Sequence, residues 1–79
     1  MATNMIDIIE NVLEEIVFIE ETISKNVHVA YAAWLDLQGD LARLAEFNRK
    51  EYLSAISMAK EATSGYILDE VEHMFVLDW

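Results

Sequence analysis

Apolar residues in the first third of the chain recur with the period of an α-helix. They follow one another at alternating intervals of four and three residues: Met5, Ile9, Val12, Ile16, Ile19 and Ile23. This spacing places them on one stripe of a helix, whereas strict alternation, which is typical of a half-buried strand, fits the segment poorly. Thr3 or Asn4 can cap the amino end. The pattern therefore predicts a first helix over about residues 4–24.

The same spacing returns in the middle of the chain. Its members are Val27, Ala30, Trp34, Leu37, Leu41 and Leu44. The pattern continues through Gly39, although a glycine inside a helix costs about 1 kcal/mol relative to alanine. We therefore predict one continuous helix over residues 27–47. The alternative is a helix that ends at Gly39 and a second helix that begins with Asp40 as its cap.

Capping signals define a third predicted helix. Asn48 followed three residues later by Glu51 resembles a capping box, which opens a helix. Ser64 and Gly65 are typical of a helix end and a turn. The third helix is therefore predicted over residues 49–63.

The last apolar segment predicts a fourth helix over residues 66–77. Residues 74–77 could instead form a short strand, but no partner strand is evident in the sequence. The four predictions together indicate an all-α protein, with residues 1–79 forming one domain that is a compact bundle of three to four helices.

Acidic residues are concentrated at the two ends of the chain. The protein has 15 acidic and 5 basic residues and a formal net charge of −10. Residues 1–24 contain six acids and no base, residues 66–79 contain four acids and no base, and the residues between them contain five of each. The net charge therefore belongs to the first and last predicted helices. So acidic a chain is not expected to bind nucleic acid or a membrane surface directly.

One face of the first predicted helix has the composition of a binding surface. On a helical wheel, Asp7, Glu10, Glu14 and Glu21 lie opposite the isoleucine stripe, and Phe18 lies among them. An exposed aromatic side chain surrounded by carboxylates resembles an interface anchor with an electrostatic rim. We predict that these five residues contact a partner. The alternative is a solvated acidic face with a single exposed apolar residue.

Two further residues of the acidic ends stand apart from the core pattern. Trp79, at the end of the sequence, has no evident burial partner and is predicted to be a sixth partner-binding residue. Glu20 lies near the isoleucine stripe on the wheel, so we expect it at the rim of the core or in an oligomer contact.

Patterns that support catalysis are missing from the sequence. No cysteine is present, and no glycine motif surrounds any serine. Gly39 and Gly65 are the only glycines, so no phosphate-binding loop can be drawn. Glu14 and Glu15 are adjacent on a helix and diverge, which is unsuitable for a pair of catalytic carboxylates. We expect no enzyme activity, no cofactor and no metal.

One spacing resembles a metal-binding element and is a remote alternative. Glu70 and His73 have the Glu-x-x-His spacing of ferritin-like di-iron bundles. Such a site needs a second copy, but Lys25 stands three residues before His28 where a glutamate is required. A homodimer could supply the second copy by symmetry, with Glu10 or Glu14 as the bridging ligand.

Targeting features are also missing. The amino end lacks the basic segment of a secretory signal peptide. The longest uncharged apolar run, residues 29–35, is much shorter than the ~18 residues that span a bilayer. The absence of cysteine fits a reducing compartment. We therefore expect a cytoplasmic protein.

These features favour a small acidic protein that binds a basic surface of another protein and inhibits it by covering that surface, including one that binds nucleic acid. In physical type, though in no motif, such a protein is similar to phage-encoded anti-CRISPR inhibitors. An antitoxin or immunity protein that neutralises a basic toxin is the first alternative. A structural homo-oligomeric bundle is the second, because 54% of the residues are hydrophobic.

Overall fold

Three helices followed by a β-hairpin make up the computed structural model, which describes residues 4–78. The elements are α1 (Met5–Thr22), α2 (Val27–Phe47), α3 (Arg49–Ala62), β1 (Tyr66–Asp69) and β2 (Met74–Leu77). The fold is mostly helical, at 71%, so the predicted fold class is confirmed and the two-stranded sheet is a minor addition. The first three predicted helices are present, and the fourth is not.

An asparagine caps the amino end of every helix. The side-chain Oδ1 of Asn4, Asn26 and Asn48 accepts the backbone N–H three residues further along, at 3.0, 3.1 and 3.2 Å. This bond satisfies one of the free N–H groups of the first turn and stabilises each helix by about 1 kcal/mol. The predicted cap at Asn4 and the predicted start at Asn48 are confirmed, whereas Thr3 lies outside the described residues.

The main core joins the isoleucine stripe of α1 to the leucines of α2. Its buried residues are Ile8, Val12, Ile16 and Ile19 from α1, Leu37, Leu41 and Leu44 from α2, and Ala55, Ala59 and Ala62 from α3. Four residues of the predicted stripe, Val12, Ile16, Ile19 and Ile23, are buried. Ile8 is also buried, at 2% exposure, whereas Ile9 is only partly buried. The buried face of α1 therefore includes Ile8 as well as the predicted stripe, and it packs mainly against α2.

The predicted helix over residues 66–77 is wrong, because this segment is an antiparallel hairpin. Tyr66 pairs with Leu77 at one end and Asp69 pairs with Met74 at the other. The turn is set by Asp69, whose Oδ1 accepts the N–H groups of Val71 and Glu72 at 3.1 and 3.0 Å. β1 is therefore the partner strand that the sequence alone did not reveal for residues 74–77.

A second core cluster attaches the hairpin to α2. Phe75 of β2 is buried with Ile23, Ala30 and Tyr31, and its ring meets that of Trp34 edge to face, with centroids 5.9 Å apart. Edge-to-face pairs of this kind add stability beyond the area that they bury. A four-residue strand can therefore persist because its one buried aromatic side chain is held by a helix.

Helix α2 is continuous through Gly39, as predicted. A Cβ atom at Gly39 would meet no atom within 4 Å, whereas Gly65 has φ +87, a left-handed conformation that favours glycine.

We expect Gly39→Ala to raise the free energy of unfolding by about 0.5–1 kcal/mol. Gly65→Ala, the matched control, is expected to lower it by about 1 kcal/mol or more. Urea denaturation followed by circular dichroism measures both, and a loss of stability in Gly39→Ala would contradict the expectation.

Candidate functional site

The outer face of α1 carries an uncompensated row of carboxylates. Asp7, Glu10, Glu14 and Glu21, which we call the acidic ridge, are all exposed on the side of α1 away from the core. No base lies in α1. Within residues 4–78 the one ion pair joins Arg43 to Asp40 of α2, so no ridge carboxylate in this part of the chain has a cation within salt-bridge distance. The ridge therefore presents its full negative charge to solvent.

Exposed apolar side chains flank the acidic ridge. Phe18 is 46% exposed, and Leu13 and Val17 are 40% and 51% exposed. With Glu14 and Glu21 these three side chains line a shallow depression of about 360 Å³. The structure thus brings Phe18 together with two predicted carboxylates and adds two apolar neighbours. Trp79, the sixth predicted contact, lies outside the described residues.

Leu13 and Val17 were missed by the sequence reasoning, although a signal for them exists. The apolar arc of α1 extends beyond the predicted stripe on the side that faces α3, where Met58 lies beside Leu13 and Val17. The period of a helix identifies the direction of its buried face but not how much of the arc a small domain can cover. The apolar residues of this arc that the domain cannot cover, Leu13 and Val17, therefore remain exposed.

A second depression lies on the other side of Phe18, between α1 and α2. It has a volume of about 370 Å³ and is lined by Glu14, Glu15, Phe18, Ala33 and Asp36. Phe18 therefore lies between two depressions, and at least two carboxyl groups line each of them. This arrangement can hold a cationic side chain against the aromatic ring and the neighbouring acids at the same time.

Glu15 is the carboxyl group whose environment differs most from water. Burial raises its pKa from 4.5 to about 8, with further contributions from a hydrogen bond to Asp40 and from the negative charges of Asp40 and Asp36. Its Oε1 is buried and has no hydrogen-bond donor within the described part of the chain. A proton on Glu15 removes this conflict, because the neutral acid can donate to Asp40, which also accepts from Arg43 at 3.1 Å.

The pairing of Glu15 with Asp40 was not foreseen. Glu14 and Glu15 do diverge, since one is exposed and the other half-buried. The carboxyl partner of Glu15 comes instead from α2, 25 residues further along the chain. No local pattern indicates a contact between residues so far apart.

The two histidines attach the hairpin turn to α2. Nδ1 of His28 lies 3.1 Å from the carbonyl oxygen of His73, and the His73 ring meets Tyr31 edge to face at 5.4 Å. Glu70 and His73 lie in the hairpin turn rather than on a helix, so the ferritin-like interpretation of their spacing is wrong. Across residues 4–78 no group of three or more potential ligands is placed to hold a metal ion.

The chain matches no protein-family model, no curated protein and no solved structure. Each helix in the described residues is too short or too polar to cross a membrane. The surface of α1 is therefore the feature that can indicate a function.

The raised pKa of Glu15 predicts how stability changes with pH. The folded protein retains this proton up to a pH of about 8, whereas the unfolded chain loses it near 4.5. Unfolding therefore releases a proton between these values, and the contribution of Glu15 to stability falls as pH rises through this window. Glu15→Gln carries no titrating proton and can still donate to Asp40. We expect the melting temperature of Glu15→Gln to exceed that of the wild type by an amount that grows toward pH 8.

Glu14→Gln is the matched control for this measurement, because Glu14 is the adjacent glutamate and is exposed. Its melting temperature, followed by circular dichroism over the same pH range, is expected to parallel that of the wild type. Parallel curves for Glu15→Gln and the wild type would show that Glu15 titrates normally.

Proposed function

We propose that the protein binds a basic surface of a partner protein through the outer face of α1 and inhibits the partner by covering that surface. The observation that carries the proposal is the combination of exposed Phe18, Leu13 and Val17 with an acidic ridge that has no ion pair within residues 4–78. Carboxylates alone would serve solubility. Carboxylates beside a half-exposed aromatic ring combine the two components of a protein interface, an apolar anchor and a charged rim.

The two components act at different stages of binding. The ridge generates a negative potential that attracts a basic partner over a distance of about 10 Å at moderate salt and so accelerates association. The apolar side chains then slow dissociation, because separating the proteins would return their buried surface to water. A partner surface that binds nucleic acid has the complementary positive charge, so covering it would block nucleic-acid binding.

An inhibitor of the kind that phages encode against host defence, anti-CRISPR proteins included, would act in this manner. An antitoxin against a basic toxin would use the same face, and the two differ only in the identity of the partner. We place the encounter in the cytoplasm, whose reducing conditions suit a chain without cysteine.

Homo-oligomer formation is a second candidate function, favoured by exposed apolar residues away from the ridge. Leu35, Phe47 and Leu53 on α2 and α3 are each more than half exposed. Sedimentation equilibrium tests this candidate directly: a mass that rises with concentration supports it, and a constant mass of 9.1 kDa removes it.

Charge reversal on the ridge tests the inhibitor proposal. The double variant Glu14→Lys/Glu21→Lys changes the net charge by +4 (two residues from −1 to +1), and Glu70→Lys/Glu72→Lys on the exposed hairpin turn changes it by the same amount. Wild type and both variants are immobilised and exposed to one extract of the native cell. We expect a basic protein to be retained by the wild type and by the hairpin variant but lost from the ridge variant.

The retained protein is then purified and its association rate constant measured at low and high salt. We expect the rate constant to fall about tenfold or more for the ridge variant and to fall with salt for the wild type. Addition of the wild type should also displace nucleic acid, or whatever ligand the basic surface binds. Equal retention by the two variants, or an acidic retained protein, would contradict the proposal.

A further inference from the structure

A groove lined by apolar side chains and glutamates runs between α1 and α3. Its larger part, about 420 Å³, is lined by Leu13, Ile16, Val17, Met58, Glu20 and Glu61. A smaller part of about 80 Å³ follows directly, because Leu13 and Met58 line it as well, and Glu51 lies at its far end. We call the two parts together the α1/α3 groove. Ile9 and Ser54 line the smaller part, and Glu20 and Glu61 line the larger part, so the two helices run parallel along the groove.

The groove exists because α3 has small residues on its buried face. Ala55, Ala59 and Ala62 are the buried residues of α3 and fill little of the space beside the isoleucines of α1. The larger side chain of Met58 therefore stands at the edge of the core, 40% exposed, opposite Leu13 and Val17. Methionine is flexible and packs well against varied apolar surfaces, which suits it to a binding groove.

The charge around the groove restricts what can occupy it. Glu20, Glu61 and Glu51 stand along its walls, and no lysine or arginine among residues 4–78 lines either part. Leu13 and Val17 also border the depression of the acidic ridge, so the groove and the ridge form one continuous surface. A second copy of this chain would bring its own net charge of −10 to this surface. A cationic partner is favoured by the same charges that repel a copy.

Resting on the proposed function, we propose that the α1/α3 groove receives one cationic amphipathic α-helix of the partner. The apolar stripe of that helix packs on Leu13, Val17 and Met58. Lysines or arginines beside the stripe pair with Glu20 and Glu61 and with the acidic ridge. Two parallel helices present a channel into which the side-chain ridges of a third helix fit. The ten residue steps from Glu51 to Glu61 correspond to about 15 Å, or nearly three turns.

Selection of peptides that bind the immobilised full chain tests this inference. The display library contains random peptides of about 18 residues, which is long enough to form a helix. We expect the enriched peptides to place apolar residues at helical spacing, i, i+3 or i+4 and i+7, with lysine or arginine beside them. Their affinity is expected to fall tenfold or more for Met58→Ser. Leu53→Ser is the matched control, since Leu53 is also exposed on α3 but does not line the groove, and it should leave affinity unchanged.

A second variant, which changes charge rather than packing, tests the groove independently in case Met58→Ser alters the packing of α3. Glu20→Lys/Glu61→Lys changes two exposed residues on the groove walls and is expected to lower the affinity of the same peptides tenfold or more, whereas Glu70→Lys/Glu72→Lys is expected to have a small effect. Circular dichroism shows whether each variant is folded.

The outcomes separate this inference from the proposed function. The enriched peptides could be cationic but lack helical spacing, and they could bind the groove variants normally and lose binding only to Glu14→Lys/Glu21→Lys. That result would overturn the proposal that a helix occupies the groove, and it would leave the ridge as the binding surface. Enrichment of peptides that are not cationic, or no enrichment, would also overturn the inference. The proposed function would then be decided separately, by whether the immobilised wild type retains a basic protein that the ridge variant loses. A dimer dispersed by Met58→Ser in sedimentation equilibrium would assign the groove to a second copy.

Discussion

The packing of the α1 isoleucines against the α2 leucines is the constraint on which the rest of the structure depends. This contact buries one side of α1 completely, with Ile19 and Leu37 fully excluded from solvent. Every other residue of α1 must then face α3, the edge of α2 or water. The acidic ridge and Phe18 therefore have their positions because the core takes the opposite side of the same helix.

Helix α3 packs against the core but leaves part of the apolar surface of α1 exposed. Its buried alanines let α3 approach closely, but they cannot extend over the wide apolar arc of α1. Leu13 and Val17 consequently remain exposed beside carboxylates that no nearby lysine or arginine neutralises within residues 4–78. An apolar surface next to unbalanced charge is unfavourable for an isolated protein and favourable for one that meets a basic, amphipathic partner. The proposed function and the groove proposal both follow from this incomplete coverage.

The interface between α1 and α2 also contains a polar contact that a helical wheel cannot show. Burial raises the pKa of Glu15 of α1, which lies close enough to Asp40 of α2 for Asp40 to raise it further, and Arg43 donates a hydrogen bond to Asp40 at 3.1 Å. Each of these residues has an ordinary place on its own helix. Their proximity depends on how far α1 is rotated and shifted against α2, which is also why Ile8 is buried and Ile9 only partly so. A sequence pattern gives the direction of a buried face to within about one residue, and a carboxyl pair requires better than that.

The sequence by itself determined the three helices, the caps at Asn4 and Asn48, the continuity of α2 through Gly39 and the exposure of the acidic ridge with Phe18. Periodicity, capping and helix propensity act over a few residues, so a single chain segment contains the information. Only the tertiary structure decided the hairpin, the Glu15–Asp40 pair and the α1/α3 groove. Residues 66–77 have apolar side chains that suit a helix or a strand, and the choice follows from the Asp69 turn and from the burial of Phe75 against Trp34 of α2. These features depend on contacts between distant segments, because burial is gained only when those segments meet.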